Sequence, residues 1–152
     1  KDLNPLTEAN RKIDFFLKKY PNSDYAIDLK FKKDLIINQL AAKELFVAKY
    51  YISTQKWIPA INRLKVIVSD YNKTIFIEEA LHRLVEIYFH IGLENEANKY
   101  AKILGYNYNS SEWFKESYRV SNKDYDFKLK RNKNKTNKKE QNLLKRIGEI
   151  LK

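Results

Sequence analysis

The sequence has no cysteine, and only three glycines and three prolines occur among its 152 residues. Without cysteine the chain forms neither disulfide bonds nor thiolate zinc sites, and it has no cysteine nucleophile. The scarcity of turn residues argues against an all-β fold, which needs many tight turns. The sequence contains no run of 18 or more apolar residues, so it predicts no membrane-spanning helix. A glycine-rich phosphate loop and a recognisable catalytic serine or threonine motif are also missing. We therefore predict that the protein is not an enzyme and needs no cofactor.

Residues 23–52 contain neither proline nor glycine, and apolar residues recur along them at helical spacing. A single helix of about 28 residues is roughly 42 Å long, so shorter helices must pack against both of its halves. Hydrophobic residues make up 43% of the chain, enough for one domain with its own core. The spacing thus predicts a long central helix in an all-α domain. Its main apolar stripe consists of Tyr25, Leu29, Ile36, Leu40, Val47 and Tyr51.

Three similar tetrapeptides divide the chain, at residues 20–23, 71–74 and 108–111. Each begins with tyrosine and ends with a hydroxyl residue, Ser23, Thr74 or Ser111. Serine and threonine are favoured immediately before a helix, where the side-chain oxygen accepts a hydrogen bond from an otherwise unpaired amide. We therefore interpret the tetrapeptides as joints between helices and expect these three residues to cap the helices that follow.

The last two joints define a period of 37 residues, which is typical of a helical repeat protein. In this register Tyr51 corresponds to Tyr88, and Ala60 corresponds to Ala97. Together with Ala48, these positions are expected to pack the first helix of a tetratricopeptide-like unit onto the second. The first two joints lie 14 residues further apart. Because 14 residues are close to four whole turns, the insertion lengthens a helix without rotating its apolar face.

The predicted architecture is a tetratricopeptide-like solenoid of antiparallel helix pairs in residues 1–120, with one elongated helix. Residues 121–138 are predicted to be a disordered basic linker, because they contain almost nothing to bury. Residues 139–152 are predicted to form a short amphipathic helix, with Lys139, Lys145 and Arg146 opposite its apolar side. That apolar side consists of Leu143, Leu144, Ile147, Ile150 and Leu151. The predicted helices of the repeat domain span residues 6–20, 23–53, 56–70, 75–91, 93–105 and 111–120.

The net charge is +11, and +8 of it falls in residues 115–152. A basic tail of this kind can bind nucleic acid through the phosphates. Few aromatic residues accompany the basic ones, with only Tyr125 and Phe127 nearby, so stacking on bases is poorly supported. We expect a solvated tail and no nucleic-acid partner. A helical-repeat nucleic-acid-binding protein, or another adaptor that uses the tail, is the alternative interpretation.

The only histidines, His82 and His90, lie on one predicted helix with Glu86 between them. At this spacing the two histidines are about 12 Å apart along the helix axis, too far to share one metal ion. We predict structural roles for both and no metal site.

Several short motifs occur in order along residues 9–113: YPNSxYA at 20–26, LAxxE at 40–44, WxxAxNR at 57–63, EAL at 79–81 and SEW at 111–113. Together they resemble the BamD (ComL) family of outer-membrane assembly lipoproteins of Gram-negative bacteria. The sequence departs from the family pattern at Asn72 and Asn109, which stand in place of proline, and in its long basic tail.

The resemblance implies a non-enzymatic docking subunit of the outer-membrane β-barrel assembly complex, built from tetratricopeptide repeats. This chain is similar to the C-terminal half or so of the family. By resemblance, its repeats bind a POTRA domain of BamA and contact smaller lipoproteins of the complex. Unfolded outer-membrane proteins would be recognised by N-terminal repeats that this chain lacks. The expected location is the periplasmic face of the outer membrane, through a lipid anchor that is not present in this chain.

Arg63 is the candidate residue for binding a partner, together with Asn62, because both form the Asn-Arg pair of the family motif. On a helical wheel Arg63 lies beside the apolar stripe of its helix, so its stem covers the stripe while the guanidinium faces outward. There it can hold a partner carboxylate in bidentate geometry. An ion pair with an acidic residue of the same chain is the alternative.

Overall fold

The computed structural model describes residues 4–121, and these residues form helices and no strand, as predicted. None of the helices in this range is long and apolar enough to cross a membrane. The predicted basic linker and C-terminal helix lie outside the described residues, apart from Ser121 at the end of the last helix. In chain order the helices are α1 (Asn4–Lys19), α2 (Ala26–Ser53), α3 (Trp57–Asp70), α4 (Ile77–His90), α5 (Glu94–Asn107) and α6 (Glu112–Ser121).

The long helix α2 has 28 residues, which confirms the elongated helix predicted from the 14-residue insertion. Helix α1 lies along its first half, where Asp14 forms an ion pair with Lys33 of α2. Helix α3 lies along its second half, where Glu44 of α2 pairs with Arg63. Each half of α2 therefore supports a different shorter helix, as its apolar surface requires.

The turns that join α2 to α3 and α4 to α5 repeat the same geometry 37 residues apart. Each contains one residue in the left-handed region, Gln55 with φ 56° and Gly92 with φ 80°. The amide that follows donates a hydrogen bond of 2.8 Å to the carbonyl oxygen of Tyr51 or Tyr88, five residues earlier. This bond closes a helix end in the Schellman manner. Glycine adopts the conformation without steric cost, whereas Gln55 is strained. The repeat period read from the sequence is thus present in the backbone.

The three joints also share one backbone path. The amides of Ser23, Thr74 and Ser111 donate hydrogen bonds of 3.1–3.3 Å to the carbonyl oxygens of the tyrosines three residues earlier. At the last joint the hydroxyl oxygen of Ser111 accepts a hydrogen bond of 3.1 Å from the amide of Phe114. The predicted cap of α6 is therefore confirmed.

The cap predictions for Ser23 and Thr74 are wrong for α2 and α4 themselves, although the hydroxyl oxygen of Ser23 accepts a hydrogen bond of 3.2 Å from the amide of Tyr25 in the preceding turn. An extra turn follows each of them, so α2 and α4 begin three residues later, at Ala26 and Ile77, without a side-chain cap. The hydroxyl of Thr74 donates a hydrogen bond of 2.7 Å back to the carbonyl oxygen of Tyr71. Serine and threonine close turns in this way as readily as they cap helices, and the tetrapeptide alone does not distinguish the two.

The core runs from the second half of α2 through α5, and α1 contributes no buried residue to it. Of the positions predicted to pack the repeats, Ala48, Ala60 and Ala97 are at most 1% exposed and Tyr88 is 6% exposed. Tyr51 is partly buried and packs against the same cluster. Large aliphatic side chains fill the space between them, each contributing about 1.5–3 kcal/mol when fully buried. The largest are Leu64, Ile67, Leu81, Leu84 and Leu104.

The apolar stripe predicted along α2 faces its neighbours except at its first member. Leu40 is buried, and the later members of the stripe are partly buried. Tyr25, in contrast, is 71% exposed. It lies in the turn that precedes α2, where the helical periodicity that placed it in the stripe does not apply.

Candidate partner-binding surface

The outward side of α3 carries Asn62 and Arg63, the two residues predicted to bind a partner. Both are exposed, and they line a shallow groove of about 340 Å³ against the end of α2. We call it the α3 groove. It is lined by Tyr51, Ile58, Pro59, Asn62, Arg63 and Val66.

Arg63 forms the intramolecular ion pair that was the alternative to partner binding. Its guanidinium lies 3.2 Å from the carboxylate of Glu44, which is on α2 and 19 residues away in sequence. The Glu44 side chain is 21% exposed, but that of Arg63 remains 47% exposed. An ion pair this accessible contributes less than about 1 kcal/mol to stability. Its clearer effect is to orient the guanidinium at the rim of the groove.

Apolar residues of the α3 groove were not singled out from the sequence. Ile58 is 64% exposed, although it lies on a helix that otherwise buries its large aliphatic side chains well. Ile58 and Val66 flank Asn62 at a spacing of four, so all three share one side of α3. This spacing of four could have revealed the apolar side from the sequence, because Ile58 and Val66 share a helix side with the polar Asn62. The groove thus combines apolar surface with one oriented cation.

A second charged cluster connects α2 and α4 and reaches α6. Lys49 of α2 lies 2.7 Å from Glu79 of α4, and Arg83 lies 3.4 Å from the same carboxylate. Arg83 also pairs with Glu86 at 2.7 Å, and its guanidinium stands 5.8 Å from the centre of the Trp113 ring of α6. Every one of these charges has an opposite charge beside it, so the cluster acts as a connection between helices.

His82 is buried within α4 and has a polar neighbour at each ring nitrogen. Its Nδ1 lies 2.8 Å from the hydroxyl oxygen of Ser117 on α6, and its Nε2 lies 3.4 Å from Glu86. Burial opposes ionisation of Glu86, but hydrogen bonds from His82 and Arg83 outweigh it and hold the pKa of this carboxyl below its usual value. His90 instead packs against the Trp57 ring, with 4.8 Å between ring centres. Within residues 4–121 no group of three potential ligands is arranged for a metal ion.

A profile of the YfiO family, described as an outer membrane lipoprotein, matches residues 1–104. This match covers α1 to α4 and most of α5, and it includes the whole α3 groove. The chain belongs to this family. The family resemblance seen in the sequence motifs is thereby confirmed, and the family description together with the BamD relatives below confirms an association with the outer membrane.

Curated relatives agree with the family match. The chain is 42% identical over 104 residues to the outer membrane protein assembly factor BamD of Rickettsia prowazekii, covering 68% of this chain and 41% of the relative. It is 38% identical over 106 residues to BamD of Caulobacter vibrioides, covering 70% and 35%. BamD of Xylella fastidiosa is 30% identical over 115 residues, covering 76% and 39%. This member of the family therefore spans about two fifths of the length of these relatives.

Proposed function

We propose that this chain is a non-enzymatic docking module of the outer-membrane β-barrel assembly complex, and that its α3 groove binds a POTRA domain of BamA. The relatives' description as assembly factors supports a role in outer-membrane protein assembly. The observation that carries the proposal is the groove itself, in which the exposed Ile58 and Val66 adjoin an oriented Arg63. Apolar contact with an arginine at its edge is a frequent composition of protein interfaces.

The groove stands on a rigid support. Ala60 and Leu64 lie on the inward side of α3 and have no exposed surface, so the helix cannot shift without disturbing the core. Glu44 of α2 holds the guanidinium of Arg63 in place. A partner would therefore meet side chains that are already ordered, which lowers the entropic cost of binding. We expect the partner to present an acidic group to Arg63.

Further contacts follow from the same proposal but use other surfaces. Smaller lipoproteins of the complex would bind elsewhere on the helical repeats. Unfolded outer-membrane proteins would be recognised by other repeats of the family. A lipid anchor, as the family's description as lipoproteins suggests, would hold the module at the periplasmic face of the outer membrane.

The direct test measures binding of charge variants to the POTRA domains of BamA from the same organism. Arg63→Glu replaces an attraction to the partner by a repulsion, and we expect at least a tenfold loss of affinity, or about 1.4 kcal/mol. This variant also places two carboxylates together, because Glu44 remains. The swapped variant Glu44→Arg/Arg63→Glu restores the internal ion pair while keeping the charge reversed at position 63. We expect it to bind as weakly as the single variant.

Two controls complete the experiment. Lys99→Glu makes the same charge change on an exposed part of α5 and should leave the affinity unchanged. Ile58→Ala should weaken binding with little effect on stability, because the side chain is already 64% exposed. Recovery of wild-type affinity in the swapped variant would limit Arg63 to an intramolecular role. Failure of the unmutated chain to bind any POTRA domain would refute the docking proposal.

A further inference from the structure

A larger groove of about 730 Å³ lies between α5 and α6, on a different part of the molecule from the α3 groove. Most of its surface comes from aromatic rings, aliphatic side chains and a glycine. Tyr106, at its edge, is 90% exposed, and Phe114 is only partly buried. We call it the α5–α6 groove. Its lining includes Asn98, Ala101, Gly105, Tyr106, Phe114 and Ser117.

The repeat period explains why this groove is open. The preceding joint, between α3 and α4, is the same structure 37 residues earlier, and there large side chains fill the space. Ile61 is 5% exposed and Leu64 has no exposed surface. At three positions α5 carries a smaller or polar residue where α3 carries a large apolar one. The pairs are Ile61 and Asn98, Leu64 and Ala101, and Val68 and Gly105.

Gly105 is the position at which α6 requires a small residue on α5. A β-carbon at this position would lie 2.7 Å from Cε2 of Phe114, so the ring occupies part of the space that a side chain of α5 would need. The ring does not fill the rest of the groove. Aliphatic side chains that α3 supplies at the earlier joint are therefore missing from the later one.

The polar groups of the groove do not favour a polar ligand. Its fully buried Ser117 is already hydrogen-bonded to His82 at 2.8 Å. The buried Oγ of Ser121 has no hydrogen-bond partner within residues 4–121, but a single hydroxyl is a small polar contribution to a groove of this size. The volume is within the range of small-molecule pockets, but such pockets usually present several convergent polar groups. An apolar helix side suits this lining better.

We propose that the chain's own residues 143–151 pack as a helix into the α5–α6 groove. On a helical wheel the apolar residues of this segment fall within an arc of about 120°, so they can all face one groove. Lys145 lies on the opposite side. The segment brings leucine and isoleucine side chains, which are the type that α5 lacks. Those residues are Leu143, Leu144, Ile147, Ile150 and Leu151.

The chain leaves the described region at the groove itself, because Ser121 is among the residues that line it. The 21 residues between Ser121 and Leu143 span up to about 70 Å when extended, more than enough to bring the segment back. A segment tethered at this distance has an effective concentration in the millimolar range, which favours it over a separate molecule with the same contacts.

The absence of cysteine allows a clean test with one spin label. In the full chain, a label on Lys145→Cys should broaden the amide signals of Ala101, Gly105 and Tyr106. The same label on Lys12→Cys of α1 should leave those signals sharp. A sample that mixes spin-labelled chains without isotope and isotope-labelled chains without spin label should show no broadening. Broadening in that mixture would assign the groove to a second copy of the chain and overturn the proposal, as would sharp signals with the label on Lys145→Cys.

Hydrogen exchange of α6 gives an independent measurement. Ile147→Asp places a charge on the apolar side of the segment and should speed exchange of the α6 amides at least tenfold, as deletion of 139–152 should. Lys145→Asp introduces an aspartate on the opposite side, with an even larger change of charge, and should leave their exchange unchanged. Equal protection in Ile147→Asp and the wild type would show that the segment does not cover the groove.

Discussion

The hydrogen bond between His82 and Ser117 offers the sharpest test of how α4 and α6 are held together. His82 is 3% exposed and Ser117 has no exposed surface, so water cannot replace either partner. Ser117→Ala removes the hydroxyl that lies 2.8 Å from the imidazole Nδ1 and leaves that nitrogen buried without a partner. A buried polar group left in this way costs about 1–3 kcal/mol. At about 4 °C for each kcal/mol in a domain of this size, we expect the Tm to fall by roughly 4–12 °C.

The measurement is thermal unfolding followed by far-UV circular dichroism, supported by urea titration. Ser69→Ala is the matched control, because the exposed hydroxyl of Ser69 donates only to the carbonyl oxygen of Val66 in its own helix. We expect a change within about 0.5 kcal/mol for this control. The double variant His82→Leu/Ser117→Ala removes both polar partners and should be less destabilised than the sum of the two single variants. If Ser117→Ala is as stable as the control, the hydrogen bond does not hold α6 in place.

Two further predictions concern packing and charge. Ala97→Leu should cost about 1–3 kcal/mol, because Ala97 is 1% exposed and the added volume overpacks the core; an unchanged urea midpoint would contradict the repeat register. Glu86 has a folded pKa below its ordinary value of 4.5, so its contribution to stability is present above that pH and is lost as the pH falls through the lower folded value. The stability difference between wild type and Glu86→Gln should therefore shrink as urea titrations move from about pH 7 to about pH 3. A difference that stays constant over this range would show that the carboxylate gains nothing from His82 and Arg83.

Periodic features of the chain were predictable because their causes are local. The 37-residue repeat appears in the sequence as matched tyrosines and alanines, and the structure repeats the same backbone turn at Gln55 and Gly92. The 14-residue insertion predicted the length of α2, because it continues the apolar pattern of the helix and contains no proline or glycine that would end it. Helix starts were less predictable. Thr74 and Ser111 occupy the same position of the repeat, yet only Ser111 caps a helix.

Contacts between helices depend on distances that sequence spacing does not contain. Arg63 and Glu44 lie 19 residues apart on different helices, and nothing in their local sequence pairs them. The hydrogen bond between His82 and Ser117, which lie 35 residues apart, could not be predicted from the sequence either. The sequence marked Arg63 as an outward residue and His82 as structural, but the partners of both arise from how the helix pairs stack.

The length of α2 has a mechanical consequence. At 1.5 Å per residue its 28 residues form a rod of about 42 Å that contacts α1 near one end and α3 and α4 near the other. A tilt of this rod by about 10° about one end displaces the opposite end by roughly 7 Å. A short helix would displace its far end by a smaller distance at the same tilt, because the displacement grows with the length of the helix. A displacement of α1 would therefore reach the α3 groove through one continuous helix, without a joint between repeats on the way.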